Sequence, residues 1–153
     1  MRGRAWRKPR KPHVQAHSDM TFPDGARIHP SQRLATWHPR GVLDAPLARA
    51  IFAFVEAEEA AAAEPFHRFT DLSALEAIHL SFAEVEELAQ SRVEGYQGPP
   101  AESAILAPSP LAFGIARMYE QLMRRSRIEV GVFSQLSGAA KWLAMPMEVL
   151  APP

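Results

Sequence analysis

Ordered patterning begins at Asp24. Arg27-Ile28-His29 and Leu34-Ala35-Thr36-Trp37 are short runs of strand-forming residues separated by Pro30, Ser31 and Gln32, which predicts a hairpin. Pro30 and Pro39 place these strands at or near a sheet edge, because proline offers no N–H to a ladder. Gly41 ends the second run, and Asp44 with Pro46 has the form of a helix cap and first turn. Leu47, Ile51, Phe54 and Val55 then recur at helical spacing. They predict a helix over about 45–63, with Glu56, Glu58 and Glu59 on its solvated side. Pro65 closes that helix. Residues 66–70 read as a strand closing at Asp71, followed by a loop.

Ser81-Phe82-Ala83-Glu84 is a capping box, in which hydroxyl and carboxylate each satisfy a free backbone donor. Phe82, Val85, Ala89, Val93 and Tyr96 form the expected buried stripe of the helix it opens. Residues 104–107 are a short continuous apolar run, as expected of a strand covered on both faces. Ser109-Pro110 starts a helix whose stripe is Leu111, Ile115, Met118 and Leu122. Residues 128–133 form the next strand. Leu136, Ala139, Ala140 and Leu143 mark a last helix that ends at Pro146. The order β-β-α-β-α-β-α-β-α predicts an α/β domain with a mixed, mostly parallel sheet of four or five strands, flanked by about four helices. The domain spans 22–146, between a tail of 1–21 and a short C-terminal tail of 147–153.

The 153 residues suit one domain, and a chain of this length buries enough surface to need no covalent staples. Cysteine is absent, which excludes disulfides, thiolate catalysis and cysteine-held zinc, and fits a reducing, cytoplasmic setting. No apolar run approaches the ~18 residues of a membrane span. The formal charge of zero hides an asymmetry. Residues 1–20 carry six cations against Asp19 alone, whereas the rest carries 11 cations against 16 anions. The body should therefore repel nucleic acid. The basic, proline-containing tail is expected to be disordered, and Met20 offers an alternative start.

No catalytic motif appears. The six histidines show no metal-ligand spacing, since His13 and His17 lie in the tail and His29, His38, His67 and His79 fall on separate segments. GxSxG, GxGxxG and P-loop patterns are absent. Neither metal nor cofactor is expected. Asp71 stands at the carboxyl end of a strand, where open α/β sheets bind ligands. Ser81 and Ser109 sit beside free helix N–H groups able to hold an anion or a phosphoserine, although each also serves as an ordinary cap.

Thr70-Asp71-Leu72-Ser73, the stretch from Ala104 through Ser109-Pro110 to Met118, and Val130-Gly131-Val132-Phe133 followed by Ala139-Ala140-Lys141-Trp142-Leu143 are similar to the SpoIIAA-like, STAS-domain group of bacterial proteins (STAS/CRAL-TRIO-related). The resemblance covers roughly 24–145. It implies a helix-flanked mixed sheet that acts through protein contact, with Ser73 and His79 joining Asp71, Ser81 and Ser109 as candidate partner or anion contacts. Anti-anti-sigma factors open the corresponding helix with Asp-Ser-Ser-Gly and are phosphorylated on the first serine. Here His79-Leu80-Ser81-Phe82 keeps one serine, a place late and so about 100° around the helix start. The expected function is a non-enzymatic interaction module with a protein partner of unidentified kind. The alternative is a small-molecule or lipid-binding domain with an apolar pocket near Phe113, Met118 and Met123.

Overall fold

Each parallel crossover in this chain moves to the next strand position in one direction, so right-handed connections stack three successive helices on one face of the sheet. The computed structural model describes residues 22–153; the basic segment 1–21 and Met20 lie outside the described residues. The main sheet runs in the order β1 (Ala26–His29), β2 (Leu34–Trp37), β4 (His67–Asp71), β6 (Ala101–Leu106) and β7 (Ile128–Phe133). Only β1 is antiparallel, paired through the hairpin with β2. The turn is a 3₁₀ segment at Pro30–Gln32, and Arg33 leaves it in the left-handed region with φ 50°. The expected mixed, mostly parallel five-stranded sheet is therefore present.

One face carries α1 (Ala45–Ala61), α2 (Phe82–Gly95) and α3 (Pro110–Leu122), packed on Trp37, Ile105, Ile128 and Val130. The other carries α4 (Leu136–Leu143) and α5 (Met147–Leu150), packed on Leu34, Phe69, Ala104 and Leu106. Strand alternation makes both cores: Ala101 and Ile105 of β6 enter the first, Ala104 and Leu106 the second. The caps form as the side chains dictate. Asp44 Oδ1 accepts from Leu47 N–H at 3.0 Å, Ser109 Oγ from Ala112 N–H at 3.2 Å, and Ser81 exchanges both bonds of its box with Glu84.

Four expectations need correction. β3 (Gly41–Asp44) and β5 (Leu75–His79), expected as a strand break and a loop, form a second, two-stranded parallel sheet. It prolongs the β2–β4 neighbourhood past the bend at Pro39 and Leu72. Phe82 and Leu111, placed in buried stripes, are 59% and 63% exposed. The buried positions of these helices are Val85, Ala89 and Arg92 in α2 and Ala112 and Ala116 in α3. Glu59, placed on a solvated face, is largely buried.

The fourth concerns residues 147–153, expected as a tail. They contain α5, and Leu150 is fully buried in the second core. The Leu150 carbonyl also lies 2.8 Å from His38 Nε2, so the segment partners one nitrogen of a buried imidazole as well as filling a hydrophobic gap. Leu150→Ala should cost about 2–5 kcal/mol in urea unfolding; an unchanged midpoint would show that the segment is not docked.

Candidate functional site

Two regions gather chemistry. The first is the carboxyl edge of the sheet, where β2, β4 and β6 end. Asp71 is buried there; its Oδ1 accepts from Ser73 N–H at 2.9 Å, and its Oδ2 lies 3.8 Å from His38 Nε2. The carboxylate thus fastens the corner between β4 and β5 and presents no free surface. Ser73 and His79 are exposed, the latter at the end of β5, opposite Asp44. Ser81 and Ser109 are exposed caps at the starts of α2 and α3. Their shared edge places all five at one end of the fold. The backbone hydrogen bond from Ser81 N–H holds the Glu84 carboxyl below its ordinary range.

The second region is interior. Between the first helix layer and the sheet lies a cavity of about 150 Å³. The wall comes from Ile51, Phe52 and Val55 of α1, Val85 and Leu88 of α2, Ile115 and Ala116 of α3, and Trp37 and Ile105 of the sheet. Leu43 and Ile78 of the small β3–β5 sheet contribute at its end. The polar residues along it are Thr36, Thr70, Ser103, Tyr119, Arg68 and Arg92. Phe113, Met118 and Met123 are not among the lining residues. Phe113 is exposed, Met118 half-buried, and Met123 packs in the core beyond the end of α3.

The two arginines are held by one carboxylate. Arg68 Nη2 donates to Glu59 Oε2 at 2.6 Å and Nη1 to the Phe66 carbonyl at 2.6 Å. Arg92 Nη2 donates to the same Oε2 at 3.0 Å, while its Nη1 lies 2.7 Å from Oε1 without the alignment that a hydrogen bond requires. Rings complete the cage: the Arg68 guanidinium carbon stands 4.7 Å from the Phe66 centroid and 5.3 Å from Tyr96, and Arg92 stands 5.8 Å from Tyr96. Burial pulls Arg68 below the usual arginine value, against the attraction of Glu59. Burial acts on Arg92 in the same sense, but the hydrogen bond and charge of Glu59 outweigh it and leave that group raised. Tyr119 is pushed up to about 12 by burial, against the pull of both arginines, so its hydroxyl stays neutral at physiological pH.

The cavity and the arginine pair went unread in the sequence. One signal existed: Val85, Ala89, Arg92 and Tyr96 are spaced four, three and four residues apart, which puts Arg92 on the buried stripe of α2. A buried arginine requires a carboxylate partner.

Comparison with known proteins fixes the fold. A crystal structure of an uncharacterized protein from the DUF3478 family, with a SpoIIAA-like fold, from Shewanella loihica PV-4, superimposes with a TM-score of 0.51. It covers 77% of this chain and 91% of that one at 16% sequence identity. The fold of this chain is SpoIIAA-like, as the sequence resemblance implied. No family model matches the chain, and no curated protein matches it.

Replacing Glu59 by Gln would leave two buried guanidiniums with only the half-exposed carboxylate of Glu56 near one of them. Glu59→Gln should lose about 3–5 kcal/mol in chemical denaturation, whereas Glu56→Gln, at a half-exposed position 3.7 Å from Arg92, should stay within about 1 kcal/mol. Equal effects of the two would show that Glu59 does not carry the buried pair.

Proposed function

We propose that this chain is a non-catalytic binding module that takes a small apolar molecule between its three-helix layer and its sheet. The observation that carries this reading is the cavity. Closely packed interiors leave few voids larger than a water molecule, and an apolar void of about 150 Å³ is the size that holds a benzene-like guest. The SpoIIAA-like fold supports a regulatory setting, in which a bound molecule alters the surface offered to a protein. A cysteine-free chain suits the cytoplasm as its place of action.

A second reading, protein contact, draws on a separate observation. Phe82 and Leu111 are exposed apolar side chains at the starts of α2 and α3, beside the capping serines Ser81 and Ser109. Exposed apolar surface at the end of a fold supports a role in partner contact when it is contiguous. Ser73 and His79 belong to the same edge. A partner recovered with the wild-type protein and lost with Phe82→Asp and Leu111→Asp, at unchanged stability, would support this reading; capture unaffected by both substitutions would sink it.

The leading reading is tested by filling the void. Toluene should raise the melting temperature of the wild-type protein in a concentration-dependent way. In Ala116→Leu, whose added side chain occupies space lined by α3, that shift should disappear while the protein remains folded. A wild-type protein indifferent to toluene would refute the cavity as a binding site.

A further inference from the structure

The guanidinium pair is more than a structural staple. Arg68 and Arg92 are buried at 7% and 3% exposure, and both line the cavity. Glu59 supplies one negative charge for the two of them. Glu56 reaches Arg92 only at 3.7 Å from a half-exposed position, where water screens it. The buried cluster therefore keeps an excess of positive charge beside an apolar void, where the local dielectric is low and a second anion would be strongly attracted.

Hydrogen bonding points the same way. Among the described residues, Arg68 Nε is a buried N–H group with no acceptor, and Arg92 Nη1 meets Glu59 Oε1 at 2.7 Å only as a misaligned ion pair. Buried donors without partners are rare in native proteins and are costly to leave unmade. Arginine presents its N–H groups as a planar fork that matches a carboxylate. Ser103 and Tyr119 line the same cavity.

From this juxtaposition of an apolar void with under-neutralised arginines, we infer that the ligand is a small carboxylic acid, bound as its anion, with an apolar body of about benzene size. The apolar wall holds the body, and Arg68 and Arg92 receive the carboxylate. The inference rests on the binding-module reading and adds the headgroup chemistry to it. It also bears on size, because a cavity of about 150 Å³ is smaller than the roughly 300–1,000 Å³ of sites for drug-sized ligands, which favours a compact body.

Three probes share one body and differ in charge: phenylacetate, 2-phenylethanol and 2-phenylethylamine. Calorimetric titration of the full chain at neutral pH and fixed salt should find phenylacetate about tenfold or more tighter than the alcohol, with the amine weakest. Arg92→Met keeps a balanced Arg68–Glu59 pair, so this variant should fold, retain its affinity for the alcohol and lose the preference for phenylacetate. Arg68→Met serves as the second variant if the first does not fold, and the wild-type series decides the matter alone if neither does. Equal affinity for all three probes would overturn the carboxylate assignment and leave the cavity reading intact. Failure of every probe to bind would overturn both.

Discussion

Two buried guanidiniums on one carboxylate hold the first helix layer to the sheet. Glu59 sits near the end of α1, Arg68 on the next strand, β4, and Arg92 near the end of α2, so one anion ties together three elements. A buried ion pair adds little net stability over a well-packed apolar substitute, because desolvation consumes most of the Coulombic gain. What it does supply is geometry. The fork of Arg92 reaches Glu59 from one angular position of α2, and the rings of Phe66 and Tyr96 close around the cations. The helices are thereby fixed at their carboxyl ends, while Ala89, Ala112 and Ala116 are buried. The space left beyond the arginines is the cavity.

Much of the fold was legible because its signals are local. The caps at Asp44, Ser81 and Ser109 depend on residues within one turn, and all three form as read. The apolar run at Ala104 to Ala107 is buried on both faces, as a continuous run requires. Errors arose where a partner lies far away in sequence. β3 and β5 are four and five residues long and find each other across thirty intervening residues, so neither carries a signature of its own. Leu111 and Phe82 match helical periodicity yet fall at helix starts, beyond the reach of the sheet. Periodicity marks a face, but it does not show where along a helix that face ceases to be covered.

The candidate site was the least legible part. Glu56, Glu58 and Glu59 look alike as a run on an alanine-rich helix, and only the arginine opposite distinguishes Glu59 from its neighbours. The cavity is further removed still, since it is made by side chains from three helices and both sheets and corresponds to no motif. The candidate residues Ser73, His79, Ser81 and Ser109 are exposed at one end of the fold. Asp71, however, spends its carboxylate on Ser73 and faces His38, which makes it a fastening of the β4–β5 corner.

The imperfect fit of three helices on the sheet also changes which state of the molecule takes up more room. Unfolding eliminates internal packing gaps, so the unfolded chain with its solvent occupies less volume than the native domain does. Compression therefore works against this fold more than against a fully packed one of equal size. A guest seated among Ile51, Phe52 and Ile115 would remove much of that penalty.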